Sequence, residues 1–264
     1  MASFSVVNNI ASANAQANLQ GTAMGLNRAL TRLSSGLRIN GGGDDAAGLA
    51  VANTYRNEQA ILNQGIRNAN DGLSDLQVKD GALSNISTLL DRLATLATQA
   101  ASGASGADIG KLATEYDALV EEIDREATVA SLDAAGGFSV FISAADGSIG
   151  ESIGAVDTTT LGLTTLTMTD VTDAEAALDE VVAAIDTLGD VQSTIGTLSN
   201  RLQFAINLAT SQSINKRAAE SRIRDANVAE ESANMTKFNI LSQSGIAALA
   251  QANQSTSSVL ALLR

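Results

Sequence analysis

The sequence predicts a mainly α protein: a long antiparallel coiled-coil rod with a small β-hairpin insertion, its N- and C-terminal helices pairing with each other. Three observations carry that reading. Apolar residues recur every three or four positions through most of the chain, as helical seams require. Proline, which breaks helices, is absent. Aromatic residues make up 3% against 45% hydrophobic, so the apolar content is Ala, Leu, Ile and Val, which suits narrow helix-on-helix seams better than an aromatic-lined pocket.

Residues 1–44 form the first segment, a helix with Leu26, Leu30, Leu33 and Leu37 stepping by four, three and four, closed by a connector at Gly41, Gly42, Gly43, Asp44 and Asp45. Residues 45–135 carry the N-terminal part of the rod. Leu62, Ile66, Ala69, Leu73 and Leu76 make one seam, Leu83, Ile86, Leu90, Leu93 and Ala97 continue it with a shifted phase, and Ile109, Leu112, Tyr116, Leu119 and Ile123 follow a turn at Ser102–Gly106. Residues 136–172 are the insertion: Phe138, Val140 and Ile142 alternate with Ser139, Phe141 and Ser143, an Asp146-Gly147 turn follows, then a Thr-rich stretch. Residues 173–224 carry the C-terminal part of the rod. Its seam is expected at Leu178, Val181, Ile185, Leu188, Gln192, Ile195, Ser199, Leu202, Ile206 and Ala209, with a break in the region 215–224. Residues 225–264 are the C-terminal helix, partner of 1–44. Neither terminal helix can bury its apolar stripe alone, and the pair together is expected to leave large apolar side chains exposed.

Composition removes whole chemistries. The chain has no Cys and no His, so thiolate nucleophiles, Cys-ligated metals, Ser/His/Asp triads and imidazole proton shuttles are excluded. Its net charge of −13 and its scarcity of aromatic residues disfavour nucleic-acid binding. No stretch reaches the ~20 apolar residues of a membrane span, and the start lacks a basic region followed by an apolar one. Charge is uneven: residues 1–43 contain no acid, and no Lys or Arg lies between Arg125 and Arg201. The acidic middle reads as solvated and the near-neutral ends as surfaces that meet other protein.

The remaining motifs have plain readings. Gly41-Gly42-Gly43 lacks the following Gly-Lys-Ser/Thr of a phosphate loop, and Asp44-Asp45 lacks the alternating oxygens of a calcium loop, so a connector and an N-capping pair are expected. Glu121, Glu122 and Asp124 could supply paired carboxylates for a hydrolase, but Ile123 faces the seam and a solvated face is the better reading.

Leu33-Ser34-Ser35-Gly36-Leu37-Arg38-Ile39-Asn40, followed by Asp44-Asp45-Ala46-Ala47-Gly48-Leu49-Ala50-Val51, resembles the N-terminal signature of bacterial flagellins. Arg67-Asn68-Ala69-Asn70-Asp71-Gly72-Leu73-Ser74, Asn200-Arg201-Leu202, Ser221-Arg222-Ile223-Arg224-Asp225-Ala226-Asn227 and Leu249-Ala250-Gln251-Ala252-Asn253-Gln254 are similar to further signatures of that family, in the same order. The resemblance covers about residues 1–130 and 175–264, without room for the large outer domains of longer flagellins.

It implies a non-enzymatic subunit that self-polymerises into the extracellular flagellar filament, without cofactor or metal, exported through the flagellar type III apparatus. Export chaperone, cap and hook-junction proteins are the implied partners besides further copies, with no nucleic acid and no membrane insertion. The terminal helices are then the filament core, with Phe4, Val7, Ile10, Leu26, Leu30, Leu33, Leu37, Phe238, Leu241, Ile246, Leu249, Val259 and Leu262 expected in polymerisation contacts. Arg92, Leu96 and Glu122 fall where receptor-sensed flagellins resemble part of the contact surface for a mammalian Toll-like receptor; rod packing is the competing role, and Ala94, where such relatives carry a second Arg, implies weak or no recognition. Thr158, Thr159, Thr160, Thr164 and Thr165 are O-glycan candidates by hydroxyl and exposure. The rivals are a hook–filament junction protein, which shares the terminal helices, and a carboxylate hydrolase, which needs Glu121 or Glu122.

Overall fold

The computed structural model describes the backbone of residues 9–102, 106–143, 147–163 and 169–262, and the side chains of these except 106–107 and 255–262. Five helices and one hairpin follow in the order α1 (Ile10–Ser35), α2 (Ala46–Ala101), α3 (Gly106–Val129), β1 (Gly136–Ser143), β2 (Gly147–Ile153), α4 (Val171–Arg224) and α5 (Val228–Leu262). They group into two compact units, residues 58–214 and residues 1–57 with 215–264. α4 ends at Arg224 and α2 begins at Ala46, whereas the units divide inside α2 and α4, because both helices continue without a break.

The unit 58–214 has a large apolar core, with a smaller cluster of Leu62, Ile142 and Ala209 besides. On α2 the buried seam is Leu62, Gly65, Ala69, Gly72, Leu76, Lys79, Leu83, Ile86, Leu90, Leu93, Ala97 and Ala100, alternating three and four with no change of phase, with Ala82 and Leu96 buried beside it. The expected phase shift therefore does not occur: Gly65 and Gly72, rather than Ile66 and Leu73, hold the seam. On α4 the seam is Ala174, Ala177, Val181, Ala184, Leu188, Val191, Ile195, Leu198 and Leu202. Four of the ten expected positions, Leu178, Ile185, Gln192 and Ser199, are one residue out of register. With Val191 and Leu198 inside, the polar interruptions at Gln192 and Ser199 disappear. Small residues win these positions because close helix approach rewards fit over bulk.

The hairpin pairs antiparallel, with Val140 opposite Ile149 and an irregularity between Phe141 and Ser143. It lies on the two α2 glycines. A Cβ at Gly65 would stand 1.9 Å from the Ile142 carbonyl oxygen, and one at Gly72 2.6 Å from Val140 Cγ2. Asn68 Nδ2 donates to the Phe141 carbonyl at 3.2 Å, and Arg201 pairs with Glu151 at 3.2 Å. The Thr-rich stretch adds no strand among the described residues; Asp157–Thr160 turns instead, with Leu161 and Leu163 buried.

Lys79 and Tyr116 bring polar groups into this core. Lys79 is 8% exposed, and its Nζ donates to the carbonyls of Ala130 at 2.9 Å and Ser131 at 3.2 Å. A cation is thereby set on the carbonyl end of α3, where its charge is favoured, and where Ser131 turns the chain at φ 52°. Tyr116 is fully buried, and its hydroxyl has no hydrogen-bond partner among the described residues.

Candidate assembly interface

The terminal unit is built on α1 and α5. Asn9 caps α1 by accepting from Ser12 N at 3.0 Å, and Gly36, in the left-handed conformation at φ 71°, ends it. The helix thus stops before the expected Gly41–Gly43 run, and Leu37 leaves the α1 seam. Instead Leu37 forms an antiparallel bridge with Asp225. Arg38 N donates to the Arg224 carbonyl at 2.6 Å and Ala226 N to the Gly36 carbonyl at 2.9 Å. The expected break at 215–224 falls one step later, at Asp225–Asn227, where Asn227 Oδ1 accepts from Ala229 N and begins α5.

The connector residues Gly41, Gly42 and Gly43 lie in an exposed turn. Asp44 accepts from the amides of Asn40 and Gly41, and the Asn40 amide foremost holds its carboxyl below the usual carboxylate range. Asp45 accepts from Gly48 N at 2.8 Å, capping α2. Both acids serve the backbone.

α1 and α5 run antiparallel, as three contacts show: Asn9 Nδ2 donates to the Ala252 carbonyl at 3.0 Å, Phe238 covers Gly25, and Arg32 pairs with Glu231 at 3.0 Å. A Cβ at Gly25 would stand 2.6 Å from the Phe238 ring, and one at Gly245 3.0 Å from Leu19 Cγ. These large-into-small contacts fix the pair, but they bury little: Ala29 is the one buried α1 residue among those described.

The expected polymerisation residues accordingly separate. Ile10 (66% exposed), Leu30 (44%), Leu241 (43%) and Ile246 (60%) are open. Leu26, Leu33, Phe238 and Leu249 are half-buried, Phe238 by packing over Gly25. Phe4 and Val7 lie outside the described residues, as do the side chains of Val259 and Leu262. Sequence reasoning missed Met24 (65%), Val228 (57%) and Ile240 (58%), which are exposed and apolar on the same two helices.

The other candidates disperse. Leu96 is 1% exposed in the core of the unit 58–214, so no surface formed by Arg92 and Glu122 includes it. Arg92 pairs with Glu115 across the α2–α3 seam, and Glu122 pairs with Arg125 one turn along, a hydrogen bond that lowers the Glu122 pKa. Asp124 accepts from Thr158 N at 2.8 Å and Thr158 Oγ1 at 2.9 Å. Glu121, Glu122 and Asp124 therefore do not converge as a carboxylate pair on a substrate space. Thr159 and Thr160 are exposed, Thr158 is half-buried, and Thr164 and Thr165 lie outside the described residues. Among the described residues no helix is long and apolar enough to cross a membrane.

The chain matches known proteins along most of its length. The family model of the bacterial flagellin N-terminal helical region matches residues 6–137, and that of the C-terminal helical region matches residues 178–263. A flagellin of Halalkalibacterium halodurans is 35% identical, the alignment covering 91% of this chain and 94% of that protein. The 33 kDa flagellar filament core protein of Treponema phagedenis is 34% identical, with 97% and 98% covered. A crystal structure of Bacillus cereus flagellin, 34% identical, covers 58% of this chain and 94% of its own with a TM-score of 0.49.

Proposed function

Because this chain belongs to the bacterial flagellin family, it is a non-enzymatic structural subunit that self-polymerises into the flagellar filament, and we propose that its α1/α5 pair makes the innermost contacts of that filament. One observation supports this reading most: the pair leaves Ile10, Met24, Ile240 and Ile246 between 58% and 66% exposed, on helices with almost no core of their own. Stacking copies removes that surface from water, and a heterologous contact that does not close extends into a helical tube. In this reading residues 1–44 with 225–264 are the core layer, residues 45–135 and 173–224 the stiffening layer that converts motor torque to thrust, and residues 136–172 the outward insertion. Deleting residues 1–40 is expected to abolish filaments and swimming; normal filaments from the truncated chain would overturn the assignment.

As part of the filament the protein works in the extracellular portion of the flagellum. Export through the type III apparatus, with its chaperone, and delivery past the hook-junction and cap proteins are the route this reading carries with it. The relatives' names, flagellins and filament core proteins, favour the bulk subunit over a junction protein. Toll-like receptor recognition is proposed to be weak, since Leu96 is withdrawn into the core and Ala94 replaces a cation; a full response in a cell reporter assay would contradict that. Thr159 and Thr160 stay candidates for O-glycans, tested by comparing the intact mass of native filament subunits with 26.9 kDa.

A further inference from the structure

The terminal pair has two unlike flanks. One carries a groove of about 570 Å³ between α1 and α5, lined among others by Leu19, Gly21, Thr22, Phe238, Leu241 and Gly245. Its lining includes no charged residue. Gly21 opens it, for nothing lies within 4 Å of the place a Cβ would occupy. At about 100° per residue, Leu30 of α1 and Val228 and Ile246 of α5 fall on the opposite flank, and they are 44%, 57% and 60% exposed. Antiparallel pairing places Gly21 of α1 and Leu241 of α5 on one side and these three on the other.

We propose that the groove at Gly21 receives Ile246, inserted from the uncovered flank of the terminal pair of a second copy of this chain. The occupant follows from three features. The groove is uncharged and mostly apolar, so it suits a hydrophobic ridge rather than an acidic or basic partner. The same chain displays Ile246 uncovered at 60% exposure, on helices that already meet by large side chains set into glycine gaps at Gly25 and Gly245. And the groove and Ile246 lie on different flanks, so the contact is heterologous and leaves a free groove and a free Ile246 on every pair, as open-ended growth demands. This rests on the filament reading and assigns which surfaces of the terminal pair meet.

The test is seeded polymerisation of the full-length chain, read by sedimentation and electron microscopy, with far-ultraviolet circular dichroism of the unpolymerised protein as the check on folding. Gly21→Phe fills the groove in space the monomer leaves empty, and Ile246→Ser removes the inserted side chain. Each is expected to reduce filament yield at least tenfold with helicity unchanged. Gly21→Leu fills the same space with less bulk and decides the matter should Phe disturb the monomer. Assembly of either the groove-filled or the Ile246→Ser protein at wild-type yield, while wild type polymerises, overturns this pairing alone. Failure of the seeded wild-type protein to polymerise would overturn the filament reading and this pairing with it.

Discussion

The two compact units use the same elements, long helices of Ala, Leu, Ile and Ser, to opposite ends. In the unit 58–214 three helices share a core that includes Leu76, Leu83, Ile86, Leu90, Leu93, Tyr116, Ile123 and Leu188, all exposed by 2% or less. In the terminal unit the buried apolar side chains among the described residues are Ala29, Ile39 and Ala52, while Ile10, Met24, Ile240 and Ile246 face outward. One unit has a third helical layer over its seam and the other has a two-helix seam open on both flanks. Composition is not the difference; the number of partners each helix finds within its own chain is. A unit left short of partners is marginal alone and gains most from assembly.

The contrast can be broken most severely at Gly65. Leu at that position drives a side chain into the Ile142 carbonyl, and a loss of about 3 kcal/mol is expected in the urea unfolding of the unit 58–214. Hydrogen exchange in α1 and α5 should be unchanged, and equal loss in both units would show that their stabilities are not separate. Next in size is Val191→Gln, which puts an amide into the α4 seam at a cost of about 2 kcal/mol. Its neighbour change Gln192→Leu should move stability by no more than about 0.5 kcal/mol. The reverse ranking would restore the other register.

In the terminal unit, Glu231→Gln weakens the pair with Arg32, whose Nε already has no partner among the described residues. A loss of roughly 1–2 kcal/mol is expected, seen as faster exchange confined to α1 and α5. Tyr116→Phe at neutral pH is expected to stay within about 1 kcal/mol, since the hydroxyl removed makes no bond among the described residues. Burial first, with Glu180 and Asp117, pushes the Tyr116 phenol up to about 12 from its ordinary 10.0. The unfolded chain releases that proton earlier than the folded one, so stability is intact below pH 10.0 and falls as pH rises towards about 12. The urea midpoint of the Phe variant should hold better than wild type across that window; parallel decline would remove Tyr116 as the cause.

Much of the fold was legible because helical period, glycine punctuation and the alternation at Phe138–Ile142 are local signals. What was not legible depends on partners distant in sequence. Ile66 and Leu73 looked like seam residues because they are large, but the hairpin needs the bare backbone of Gly65 and Gly72. The expected α4 register follows the large Leu178 and Ile185 and so takes in Gln192 and Ser199, whereas the buried seam runs through the small Ala177 and Ala184. Lys79 gave no sign, since only the tertiary fold brings the end of α3 to its ammonium group. Gly36 was a visible helix stop, overshadowed by the glycine run five residues on. At the assembly interface the signatures located the helices, but which side chains stay exposed depended on how Phe238 and Leu19 enter the glycine gaps.

The bridge between Leu37 and Asp225 has a consequence in time. Arg38 and Ile223, joined by a hydrogen bond beside it, are 185 positions apart in the chain. Contacts of that separation are slow to close, whereas the α2–α3 turn can form from neighbouring residues. A chain that emerges from one end must carry its N-terminal helix unpartnered until nearly its last residues arrive. The joining of α1 to α5, which the proposed assembly surface requires, is therefore the last local event of folding.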